Sequence, residues 1–143
     1  MACACYQKSA LCAVTTADQT VTAGGVVNFA TNNLLTGTSI QHVAGASAVT
    51  IPNSGLYQVT FDADVLPSEA GGVTIQLYNN NVAVSGAQAS FTGAATSLVH
   101  ISFTTLIKVL QSCNCINNAA SLQVQSADAL TIGNANITVV KLA

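Results

Sequence analysis

The chain has 143 residues, enough for one domain that buries its own core without metal or disulfide support. Half of the residues are hydrophobic and only 6% are charged, with three Lys, no Arg, five acids and a formal net charge of −2. That composition excludes a disordered chain, offers no basic cluster for nucleic acid and holds no apolar run long enough for a membrane helix. Soluble monomers usually carry a charged coat that blocks association. So sparse a coat points to packing against further copies of the chain; the alternative is a neutral extracellular domain covered with Ser, Thr and Asn.

Residues 1–17 lack strand alternation and read as an extended arm, carrying Cys3, Cys5 and Cys12. With one Lys and no long apolar centre, this stretch is not a standard secretory signal peptide. Residues 18–143 form the expected domain. "VVNFAT" (26–31), "SIQHV" (39–43) and "AVTIP" (48–52) read as short strands separated by Gly and Asn. In "GLYQVTFDADV" (55–65), Val59, Phe61, Ala63 and Val65 share one face, while Gln58, Thr60, Asp62 and Asp64 share the other. "GGVTIQLYNNNVAVSG" predicts a hairpin in which Val73, Ile75 and Leu77 point inward and Asn79, Asn80 and Asn81 make the turn. "TSLVHISFTTLIKVL" (96–110) is a long β-branched strand, with "ASLQVQSA" and "ANITVVKL" as two more. Eight or nine short strands at regular spacing, with no convincing helix, predict a β-sandwich or jelly roll.

Catalytic groups do not converge in this pattern. His42 and His100 each fall inside an expected strand without an acid nearby in sequence, and read as structural rather than metal-binding. Asp62 and Asp64 share a strand face, where a carboxylate pair could hold Ca²⁺ or work as acid and base; a solvated face accounts for them more simply. No motif announces a nucleophile with its base. "TAGGVV" and "EAGGVT" lack the Lys and the following helix of a phosphate loop. The expectation is a non-enzyme without metal or cofactor.

All five cysteines lie in two places, Cys3, Cys5 and Cys12 near the start and Cys113 and Cys115 in "SCNC". In an extended segment the two thiols of a C-x-C point the same way, so a bond within one pair is awkward. Three readings stand. A four-thiolate zinc site would have unusual spacing. Disulfides could tie the arm to its own body. Intermolecular disulfides suit the odd count and the reach of a seventeen-residue arm, up to roughly 55 Å.

The stretch from about Val26 to Leu142 resembles the tumour-necrosis-factor-like jelly roll of collagen-like spore-surface glycoproteins (the BclA type) and related bacteriophage proteins. The resemblance rests on the turn and strand Ile51-Pro52-Asn53-Ser54-Gly55-Leu56-Tyr57-Gln58-Val59, on the hairpin "GGVTIQLYNNNVAVSG" and on the closing "NANITVVKLA". It implies a jelly roll that trimerises through an apolar interface, with no enzymatic residues. The cysteine arm stands where that family has a collagen-like stalk, which favours a self-stacking subunit similar in logic to endospore appendages. On this reading Cys3, Cys5 and Cys12 reach along a fibre and Cys113 and Cys115 receive them. Val59, Phe61, Val73, Ile75 and Leu77 are expected in the core, with Val99, Ile101, Phe103, Ile137 and Val139 in the core or the trimer seam. The expected partners are further copies, a spore-surface anchor protein and a tip protein; the expected place is the extracellular spore surface. The rival expectation is a phage fibre or receptor-binding module, which would remain a discrete trimer.

Overall fold

Strict alternation of apolar and polar residues commits most of the chain to strands with one buried face. The computed structural model describes residues 8–113 and 116–143. These hold ten strands and no helix: β1 (Ala10–Thr15), β2 (Gln19–Val21), β3 (Thr31–Thr36), β4 (Val49–Ile51), β5 (Gly55–Pro67), β6 (Gly71–Asn79), β7 (Val82–Gly93), β8 (Val99–Val109), β9 (Ala120–Ser126) and β10 (Leu130–Lys141). One antiparallel sheet runs β3-β1-β10-β5-β8, with β2 pairing the first residues of β10 on the flank it shares with β1. The second runs β4-β9-β6-β7. The two face each other as a jelly-roll sandwich.

The inward residues of β5 set the middle of the core. Tyr57, Val59, Phe61, Ala63 and Val65 are fully buried. Phe61 meets Phe29 edge-on at 6.3 Å between ring centroids and Phe103 at 5.4 Å. Val73, Ile75 and Leu77 face them from β6, and Ile137 and Val139 lie beside them on β10, all buried. The hairpin forms where Asn80 and Asn81 take left-handed φ angles of 50° and 65°, the conformation a two-residue hairpin turn demands and Asn tolerates. Asn79 still belongs to β6, paired with Val82.

Three stretches differ from the sequence reading. Residues 10–15, expected in the arm, form β1, inserted between β3 and β10 with Leu11 and Ala13 fully buried. Ala and Cys give alternation too weak to stand out in "ALCAVT", yet three buried side chains and two ladders hold it. The boundary at 17/18 is therefore corrected: Ser9 is already buried, and its carbonyl accepts the Lys141 N–H at 3.0 Å. Residues 26–31 are not a strand. Val26 makes one isolated bridge to Gln125, and the backbone of Asn28 is bound by side chains instead: the Thr15 hydroxyl and Gln19 Nε2 donate to its carbonyl at 2.8 and 2.9 Å, and its N–H donates to Gln19 Oε1 at 3.0 Å. Residues 39–43 likewise reduce to a single bridge, Gln41 to Thr50, because His42 ties the segment down through its ring to Asn32 and to the Ala46 carbonyl.

Candidate assembly surface

Opposed residues of an antiparallel ladder point to the same face, so the registers lay out the outer face of the first sheet row by row. Ala10, Val140, Gln58 and Leu106 form one row. Leu142, Leu56 and Lys108 form the next towards the end where β1 begins, since Leu142 N–H donates to the Leu56 carbonyl at 2.7 Å. Leu110 follows Lys108 on the same side. Leu106, Leu110 and Leu142 are exposed. In the other direction the face turns polar: Thr60 opposes Thr104, Asp62 opposes Ser102 and Asp64 opposes His100.

That last pairing supplies the acid that the linear sequence did not show beside His100. Asp64 Oδ1 lies 2.8 Å from His100 Nδ1, and Asn134 Nδ2 donates to Asp64 Oδ2 at 3.1 Å. The amide of Asn134 and then the imidazole of His100 hold the Asp64 carboxyl below its ordinary value. His100 is exposed and Asp64 half-buried on the outer face of the sheet. Among the described residues, no three His, Cys, Asp or Glu converge as a metal ion would require, and no helix is long and apolar enough to cross a membrane.

The cysteines fall unequally. Cys12 is half-buried in β1, its Sγ 3.7 Å from Asn136 Nδ2, and it is fixed by the ladders to β3 and β10. Cys12 therefore lies in the sheet rather than in the arm expected for it. Cys113 is exposed in a tight turn that it closes with Ile116 through two backbone hydrogen bonds of 3.0 Å. Asn118 steadies this loop, its N–H donating to Ser112 Oγ at 3.0 Å and its amide to the Gln111 carbonyl at 2.8 Å. Both described thiols are free. Cys3, Cys5 and Cys115 lie outside the described residues.

The β8–β9 loop bearing Cys113 and the start of β1 share one end of the sandwich, because Ala10 and Leu106 stand in the same row. They are three strand spacings apart, about 14 Å. Of the expected core-or-seam positions, Ile101 and Phe103 point into the sandwich and are nearly buried, while Val99 packs against the core from its margin. None of the ten offers a large exposed face.

The outer strands supply the rest of the surface. β3, β4 and β7 contain no charged residue, and β8 contains Lys108 alone besides His100. Sequence reading missed β3 and the full length of β7 as edges, since edge status depends on which strands pair.

No protein-family model matches this sequence, and no curated protein matches it. Its structure is similar to murine APRIL at pH 5.0, with a TM-score of 0.72 and 11% identity over 94% of this chain and 99% of that one. The globular domain of the zebrafish complement 1qA protein gives 0.69 and 10% identity, over 95% and 98%. PRD1 vertex protein P5 gives 0.56 and 15%, over 94% and 97%. At these identities the likeness shows the fold, a jelly roll of the TNF and C1q type.

Proposed function

We propose that the chain is a structural, self-assembling subunit of a disulfide-crosslinked extracellular fibre, an appendage of the bacterial endospore surface. One observation carries the proposal: three of the four sheet edges, β3, β4 and β7, lack the charges and prolines that keep free strands from pairing with other chains. Jelly-roll neighbours of the TNF and C1q type support self-association, in trimers or in another closed or helical arrangement. The exposed apolar residues Leu106, Leu110, Ile116 and Leu142, all at the Cys113 end, add surface for it.

The fixed position of β1 shortens the available reach. Lys8 is already anchored, its carbonyl accepting the Thr36 hydroxyl at 3.1 Å. Cys3 stands five residues ahead of it, at most about 17 Å of extended chain, whereas β5 alone, with thirteen residues, is roughly 43 Å long. Cys3 and Cys5 can therefore bond Cys113 or Cys115 only where a cysteine loop, a neighbour's in the fibre or the chain's own, lies close to the start of β1. Anchor and tip proteins would complete such a fibre, and an enzymatic role is not part of it.

Non-reducing denaturing gels of assembled protein test the crosslink. A ladder that collapses to monomer with reductant, and that is lost in the combined Cys3→Ser and Cys5→Ser variant, is the expected result. Monomer alone under both conditions would refute it. The fold shared with PRD1 vertex protein P5 supports a second reading, a phage fibre or receptor-binding module; that reading predicts discrete oligomers at every concentration.

A further inference from the structure

The charged side chains sort by end of the sandwich, and all of them lie among the described residues. Lys108 stands level with Leu56 near the start of β5. Lys141 lines a shallow polar cleft beside it with Asn53, Ser54, Gln111 and Ser112. Lys8 stands just ahead of Ala10, which pairs with Val140, so all three cations crowd the end that holds the Cys113 loop. The acids take the other half. Glu69 sits in the turn from β5 to β6 and Asp128 in the turn from β9 to β10, both lining a recess of about 260 Å³ with Ser68, Gly71 and Gly72. Asp18 Oδ1 occupies the space that a side chain at Gly133 would take, and Gly133 pairs with Asp64. Asp62 precedes Asp64 on the same face of β5.

From Leu56, level with Lys108, to Pro67, beside the Glu69 turn, β5 runs roughly 36 Å. That is several times the screening length of about 8 Å at physiological salt. Each end therefore presents its own field, positive at one and negative at the other. Apolar side chains stand among the charges at both. Leu110, Ile116 and Leu142 are exposed at the lysine end, and Leu98 is exposed at the acid end, next to the Val99 that pairs with Val65. A second copy matches both features. Its acid end brings opposite charge and apolar contact to the lysines, whereas two lysine ends or two acid ends would set like charges together, which suppresses that orientation.

We infer that copies meet head to tail, the lysine end of one seated on the Glu69 and Asp128 recess of the next. Such a contact joins two different surfaces and leaves one of each free, so it repeats into an open filament rather than closing a dimer. Copies lying side by side in one helical turn keep the Cys113 loop of one level with the β1 start of its neighbour, while end contacts join that turn to the next. With so few charges, the fields govern orientation and encounter rate and leave the extent of assembly nearly untouched. This stacking rests on the fibre reading above and gives the fibre its polarity.

Four changes at exposed positions, Lys8→Glu, Lys108→Glu, Asp18→Lys and Glu69→Lys, remove the segregation while the net charge stays at −2, since two reversals of each sign cancel. Growth is followed by light scattering under reductant after a jump to assembly concentration. It should slow several-fold in the variant, whose far-ultraviolet circular dichroism should match the parent's. Growth of the parent should also slow several-fold from low to high salt at an unchanged final scattering, and the variant should lose that dependence. A folded variant that grows at the parent rate, or a parent whose growth rate is indifferent to salt, would overturn head-to-tail stacking. Where the variant does not fold, the parent's salt dependence decides alone. A parent that never grows would refute the fibre reading and this stacking with it.

Discussion

At the residue scale, Tyr57 shows how a single polar atom is placed in an apolar interior. Its ring is fully buried, and its hydroxyl donates to the Asn53 carbonyl at 2.8 Å. Burial raises its pKa above the ordinary 10.0, with the Ser39 side chain acting weakly in the opposite sense. A raised phenol pKa favours the neutral form in the folded state, so the stability it contributes is present below about pH 10 and is lost as pH rises through the folded value. Tyr57→Phe should cost about 1 kcal/mol at neutral pH through the lost hydrogen bond, and should flatten the loss of stability above pH 10. Urea unfolding at both pH values checks each part. Asp64 has the opposite sign: its lowered pKa contributes stability above the ordinary 3.8 that is lost as pH falls through the folded value.

Gly37 is fixed by a different constraint. Its φ is +73°, and a Cβ there would lie 2.8 Å from the Ser9 Cα. Gly37→Ala therefore meets both backbone strain and a backbone clash, where β3 ends against the start of β1. A loss of roughly 1–3 kcal/mol is expected, read as a lower urea midpoint at unchanged slope.

At the element scale, the β6–β7 hairpin carries more than its turn. Asn80 takes a left-handed conformation and also clamps β9, its Oδ1 accepting the Ser121 N–H at 3.1 Å and its Nδ2 donating to the Ala119 carbonyl at 3.1 Å. Asn80→Ala removes both bonds and adds strain, for a predicted loss of about 2 kcal/mol. Asn81→Gly, at φ 65°, should be neutral or slightly stabilising because it keeps only the turn requirement. Thermal melts of the two variants separate these contributions.

The strands that were legible are those whose inward residues are large. β5, β6, β8 and the end of β10 announce themselves through Phe61, Ile75, Phe103 and Ile137. β1 and β2 are not legible, because "ALCAVT" sets a single large inward residue, Leu11, beside Ala13 and Thr15, "QTV" is only three residues long, and both depend on β10 for their ladders. The stretch 26–31 misled in the opposite way: Val27 and Phe29 are fully buried, but Thr15 and Gln19 satisfy the backbone of Asn28 in place of a partner strand. The cysteine cluster was visible in the sequence, whereas the fixed place of Cys12 and the shared end of β1 and the Cys113 loop needed the strand order. Edge status needed it too. Lys introduced at Leu34 in β3 or at Gln88 in β7, both exposed, should weaken association several-fold with stability unchanged to within about 0.5 kcal/mol. Sedimentation velocity on the folded variants reads the difference.

At the scale of the whole molecule, the sparse charge and the uncovered edges work in one direction. Little electrostatic repulsion opposes contact between copies at a net charge of −2. Because few ion pairs contribute, assembly should change little between low and high salt. On the proposed fibre reading, Cys3 and Cys5, five and three residues ahead of Lys8, would link only subunits that stack closely. The most direct test is electron microscopy of the purified protein at increasing concentration, with and without reductant. The account predicts filaments that withstand detergent and dissociate to monomer only when reductant is added with it. Discrete particles of one size at every concentration, unchanged by reductant, would contradict it.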